Sequence, residues 1–158
     1  MSDNYKEIIR IGQIELRFLL DGEDTNNQLC MFEFVVPAGA KVPAPHYHVA
    51  VDEGVYGLEG VITFTVNGVP HEIGPGAKCF VPRGIVHGFE NRHGQTAKAL
   101  AVLTPASIGP AFFRETAAVI NAGGPPDIAK VQEVMRRHGL VPAPMEPAAL
   151  VNQPANAQ

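Results

Sequence analysis

GVITFTVNGVPHEIGPG, residues 60–76, decides the fold class. Ile62, Phe64 and Val66 alternate with Thr63 and Thr65, the period-two pattern of a strand with one buried face. Asn67-Gly68 follows at once. Both central residues of a type I′ turn need positive φ, so this pair between two runs predicts a tight hairpin. Gly74-Pro75-Gly76 marks a second sharp turn.

Upstream, QLCMFEFVVPAGA (28–40) alternates in the same way. Phe32, Phe34 and Val36 share one face, Met31, Glu33 and Val35 the other. Glu33 favours water, so Phe32 and Phe34 are expected inside. Downstream, AKCFVP, VHGFEN and AKALAVLTP add further short apolar runs. Many short strands divided by turns predict an all-β barrel or sandwich. The texture changes after Pro105. GPAFFRETAAVINAGG (109–124) reads as a helix, with Pro110 in its first turn, Phe113, Ala117 and Ile120 at helical spacing, and Gly123-Gly124 ending it. DIAKVQEVMRRHG (127–139) reads as a second, with Asp127 as N-cap, Ile128, Val131 and Met135 on one face, and Gly139 as stop. Both stripes are expected to pack on the barrel.

The chain has 158 residues and 16.9 kDa, the size of one domain. That domain is expected over 1–142, with the barrel at about 7–105 and the helices at about 110–138. Residues 143–158, rich in Pro, Ala and Asn, are expected to be a loosely ordered tail. A net charge of −4 and scattered Lys and Arg give no basic stripe, so neither nucleic acid nor a membrane surface is an expected partner. The opening MSDNYKEIIR has no apolar core of a secretory signal, and no apolar run approaches the roughly 20 residues of a membrane span. Cys30 and Cys79 then read as reduced thiols in a cytoplasmic protein.

Chemistry concentrates in two clusters. In HYHVAVDE (46–53), His46 and His48 are two apart, so on a strand both imidazoles face one way. Glu53 has the opposite parity and joins them only if the chain bends between Val49 and Asp52. In PRGIVHGFEN (82–91), His87 opens a strand after a Pro-Gly turn. Three imidazoles and a carboxylate suit a borderline divalent metal: iron or manganese first, then nickel, copper or zinc. A set without thiolate argues against a closed structural zinc site. His71, His93 and His138 read as surface or hairpin residues.

The first cluster resembles the cupin motif G-x5-H-x-H-x3,4-E-x6-G at His46, His48, Glu53 and Gly60, although Gly39 stands six residues before His46 rather than five. The second resembles G-x5-P-x-G-x2-H-x3-N at Gly76, Pro82, Gly84, His87 and Asn91. The C-terminal helical pair is similar to that of small quercetin-dioxygenase-like cupins. The resemblance implies a double-stranded β-helix (jelly-roll) barrel with two short C-terminal helices. It further implies one divalent metal on His46, His48, Glu53 and His87, and a homodimer. Parity adds Phe34, Val55, Cys79 and Phe89 as an apolar substrate pocket around that metal. A metal-dependent oxygenase acting on a small phenolic or enol-type molecule is the expected function, with Glu53 tuning reactivity. An isomerase or lyase on a sugar or keto acid is the alternative, but Lys41, Lys78, Arg83 and Arg92 form no cluster to hold an anionic substrate. A non-catalytic small-molecule binder is the third reading.

Overall fold

The computed structural model describes residues 4–42 and 44–144. In chain order the strands are β1 (Glu7–Ile11), β2 (Ile14–Leu20), β3 (Cys30–Val36), β4 (His46–His48), β5 (Asp52–Glu59), β6 (Ile62–Val66), β7 (Val69–Ile73), β8 (Lys78–Val81), β9 (His87–Glu90) and β10 (Ala97–Thr104). Helices α1 (Pro110–Ile120) and α2 (Ile128–Arg137) follow, then a short strand β11 (Leu140–Pro142). They form a six-stranded sheet, β1-β2-β3-β10-β5-β8, and a five-stranded sheet, β11-β4-β9-β6-β7. The two sheets are the halves of a jelly roll. No helix of the described residues is long and apolar enough to cross a membrane.

The alternations drive this architecture. β3 and β10 bury every second residue, and Phe32 and Phe34 point inward, as Glu33 required. An aromatic ladder fills the core: Phe32–Phe34, Phe34–Phe64 and Phe34–Phe89 lie 6.2, 6.0 and 5.1 Å apart between centroids, within the attractive range for ring pairs. The β6–β7 hairpin turns on Asn67 (φ 50°) and Gly68 (φ 78°), the paired positive angles that its sequence called for. Asn91, which closes the second motif, pins the two sheets together. Its Nδ2 donates to the carbonyls of Val36 (2.8 Å) and Gln95 (2.7 Å), while its Oδ1 accepts from the His93 amide (2.9 Å).

The C-terminal part departs from expectation in three places. Helix α1 stops at Ile120 rather than at the Gly-Gly pair, because Asn121 turns back to the β1–β2 turn. Its Oδ1 accepts from the Gly12 amide (2.9 Å) and its Nδ2 donates to the Arg10 carbonyl (2.8 Å). Helix α2 is capped by Asp127, whose side chain accepts from the Lys130 amide, but Ile128 is 51% exposed. As the first helical residue it precedes the turns that reach the barrel, and Val131, Val134 and Met135 form the buried face instead. The third departure is β11, which adds an edge to β4 in the register Leu140↔His48 and Pro142↔His46. Apart from Ala143 and Pro144, the expected tail lies outside the described residues.

Both cysteines are free thiols. Burial pushes the Cys30 thiol up to about 12, while Cys79 is only half-buried.

Candidate metal centre and its cavity

On β4 the two-residue spacing sets His46 and His48 on one face, and β9 pairs beside it with His46 directly opposite His87. Ring centroids are 5.2 Å apart for His46–His48, 4.7 Å for His46–His87 and 4.8 Å for His48–His87. One nitrogen from each imidazole lies within 4.8 Å of the others. The chain bends at Val49 and Ala50 and crosses into the opposite sheet, where β5 turns Glu53 inward. Its Oε2 lies 3.2 Å from Nε2 of His87. The small sheet thus supplies three imidazoles and the large sheet a carboxylate, each of the four at least half-buried.

Two backbone carbonyls orient the rings. His46 Nδ1 lies 3.1 Å from the carbonyl of Ala44, and His87 Nδ1 lies 2.9 Å from that of Ile85. A carbonyl only accepts, so both Nδ1 atoms carry the proton and both Nε2 atoms are left as donors of a lone pair. Nδ1 of His48 is buried without a hydrogen-bond partner. Burial, reinforced by the neighbouring imidazoles of His87 and His48, pushes His46 down to about 3. Burial also lowers His48. Burial opposes charge on His87, yet the Glu53 carboxylate outweighs it and holds that imidazole above its ordinary value. Glu53 in turn is held below its ordinary range: burial works to raise it, but the His87 hydrogen bond and the facing imidazoles prevail. A lone pair on His87 Nε2 facing a carboxylate oxygen calls for a positive charge between them, whether a proton or a cation. The donor set therefore fits a divalent ion, and His46, His48 and His87 could hold one.

These residues stand at one part of a cavity of about 120 Å³. One water needs roughly 10–15 Å³, so a small organic molecule fits. Phe34 and Phe89 line it, together with Phe32 and Leu103 of the barrel. Val55 and Cys79 do not line it. They face each other across β5 and β8, with Val55 packed into the core. Parity places both on the inner face but says nothing of depth along the strand. Strands β1 and β2 add Ile11, Ile14 and Leu16, and a further part of the wall comes from Phe112, Phe113 and Thr116 of α1, Val131 and Met135 of α2, and Leu140 of β11. For the two helices the only sequence signal is an apolar stripe, which gives no partner. His93 and His138 stand outside the site, paired with Glu72 (2.8 Å) and Glu115 (3.1 Å).

A two-sheet jelly roll with inward-facing imidazoles on neighbouring strands defines the class as a barrel able to bind a metal. Residues 32–103 match the family model described as a cupin domain, and the chain belongs to the cupins. Among solved structures it is similar to the polyketide cyclase RemF from Streptomyces resistomycificus (32% identity, 65% of this chain and 75% of that one, TM-score 0.56). It is also similar to a sugar phosphate isomerase of the cupin superfamily from Silicibacter pomeroyi (29% identity, TM-score 0.51), covering 58% of this chain but only 59% of that one. A predicted oxalate decarboxylase from Thermotoga maritima is similar at 28% identity over 66% of this chain and 95% of that one, with a TM-score of 0.58. No curated protein matches the sequence.

Proposed function

We propose that the protein is a metal-dependent oxygenase of a small, uncharged phenolic or enol-type molecule, with one divalent ion, iron or manganese, held by His46, His48, His87 and Glu53. The observation that carries this reading is the contrast within one cavity. Four polar ligands converge in it, while the rest of the wall is aliphatic and aromatic apart from Thr116, with no Lys or Arg among the described residues. A sugar phosphate or a keto acid would need a cation to hold its anionic group. The nearby cations are engaged elsewhere: Arg83 pairs with Asp52 at 2.8 Å and Arg92 with Glu90 at 2.6 Å. Lys78 is exposed, and Lys41 lines a separate surface cleft.

When bound, such an ion supplies Lewis acidity and an open coordination position for a substrate oxygen. The chain's own residues do the rest. Ala44 and Ile85 fix the ring orientations of His46 and His87. Glu53, the one carboxylate among the described residues of the cavity, is positioned to accept the proton of a phenol or enol as it binds. Phe34 and Phe89 offer aromatic faces to an apolar body and exclude water from it.

The similarity to a polyketide cyclase supports a second reading in the same cavity, a ring closure that consumes no oxidant. Metal analysis of the purified protein, coupled to dioxygen uptake over a panel of phenols and 1,3-dicarbonyl compounds, separates the two. Metal-dependent uptake with at least one compound is expected. Metal-dependent turnover without uptake favours the cyclase, and a protein that takes up no transition metal after reconstitution overturns both.

A further inference from the structure

The cavity has three makers: the segment that matches the family model, strands β1 and β2 before it, with Ile11, Ile14 and Leu16, and the elements after it. The metal ligands belong to the segment that matches the family model, which ends at residue 103. Phe112, Thr116, Val131, Met135 and Leu140 all lie beyond it and supply the wall facing the interior from the C-terminal side. We infer that α1, α2 and β11 are a fixed selectivity cap, which admits uncharged aromatic molecules and sets the largest one that fits. This rests on the reading of the barrel as a metal-dependent site for small organic molecules.

Three attachments hold the cap. Asn121 ties α1 to the β1–β2 turn through two hydrogen bonds, of 2.9 and 2.8 Å. β11 is laced to β4, next to two of the imidazoles, and the Val49 amide donates to the Gly139 carbonyl at 2.9 Å. Glu115 of α1 receives both His138 (3.1 Å) and Arg137 (2.8 Å), the latter as an ion pair without an aligned hydrogen bond. A wall tied to the barrel at its middle and its C-terminal end, with its two helices joined to each other, selects by shape. It also offers nothing to a polar ligand. The single hydroxyl in it, on Thr116, already donates to the Phe112 carbonyl at 2.9 Å, and Asp127, Arg136 and Arg137 are exposed rather than part of the lining. A sugar-like polyol or an anion would lose its water here without new partners, at a cost that apolar contacts do not offset.

The test is calorimetric binding of 4-alkylphenols, from phenol to 4-hexylphenol, to the metal-loaded protein. Affinity is expected to rise about fourfold per methylene until the chain meets the cap, then to fall. In Met135→Ala the fall should begin about two methylenes later, as expected from the side-chain volume removed. Met135→Leu, which conserves volume, should keep the wild-type profile and shows that a shift does not come from unfolding. Ile128→Ala, on the exposed side of the same helix, should also keep it. Glucose 6-phosphate should show no measurable binding. An unmoved profile in folded Met135→Ala and Phe112→Ala, no binding of any phenol, or tight binding of the sugar phosphate would each overturn the cap. A shifted profile without dioxygen uptake retains the cap and removes the oxygenase reading. Uptake with an unshifted profile removes the cap alone.

Discussion

At the scale of single residues, the proposed centre rests on three imidazole nitrogens within 4.8 Å of one another. Removing one ring leaves the others less able to hold a cation, while the barrel keeps its aromatic core. His46→Ala and His87→Ala should therefore lose most bound metal yet retain the wild-type circular dichroism spectrum, with elemental analysis as the readout. Glu53→Gln keeps shape and hydrogen bonding but removes the charge. It should retain much of the metal and lose turnover, at least tenfold, when metal content and rate are measured on the same sample. The metal-free protein should also be acid-sensitive in a defined window. The pKa of His46 falls from 6.5 to about 3 on folding, so between those values the unfolded chain binds more protons. Stability then declines as pH drops through that interval. His87 acts in the opposite sense: its raised value gives a contribution present at low pH and lost as pH rises through its own pKa. Urea unfolding from neutrality to about pH 5 should show a steeper loss for the wild type than for His46→Gln. Equal slopes would mean that His46 is not held neutral.

At the scale of elements, two contacts carry more than their length suggests. β11 is three residues long, yet it seats Leu140, 2% exposed, against His48. Leu140→Ala should cost about 2–5 kcal/mol in denaturant unfolding and weaken metal retention, because a buried side chain of the cavity wall beside the imidazoles is lost. The other contact is Gly57 of β5, where an added Cβ would lie 2.0 Å from the Gly74 carbonyl oxygen. Backbone cannot move aside cheaply, so Gly57→Ala should lower the melting temperature sharply, by at least as much as the roughly 1–3 kcal/mol typical of overpacking. These elements also show what could be read in advance. The imidazole pair of β4 and the Asn67-Gly68 hairpin were legible because period-two parity and turn chemistry act over a few neighbouring residues. Glu53 required only a bend that its neighbours supply. Val55 and Cys79 were given the right face but no depth. The role of Phe112, Thr116 and Met135 was hidden, because an apolar stripe states that a helix packs without saying on what. β11 escaped notice because a three-residue strand has no period, and its pairing joins residues more than 90 apart.

At the scale of the whole molecule, the proposed ligands come from both sheets, so an ion on them would tie one half of the jelly roll to the other. A ligand that binds only the folded state stabilises it by about 2.7 kcal/mol at a hundred times its Kd. Adding manganese or iron(II) anaerobically should therefore raise the melting temperature of the wild type and leave that of His87→Ala unchanged. A rise of equal size in both would place the ion elsewhere.

The strand order bears on how the chain comes to be folded at all. β10 lies between β3 and β5, and its pairing partners are residues 30–36 and 52–59. While the chain is being made, those two strands leave the ribosome well before the one that joins them. The local pairs β1–β2–β3 and β6–β7 precede it, but the two parts of the large sheet stay unjoined until residue 104 has emerged, and until then β3 and β5 each present an unpaired edge. Long-range pairings of this kind delay assembly and lengthen the exposure of apolar edges. The vulnerable moment in the life of this protein thus falls in the interval of synthesis between β5 and β10, and a pause placed there would raise the share of chains lost to aggregation.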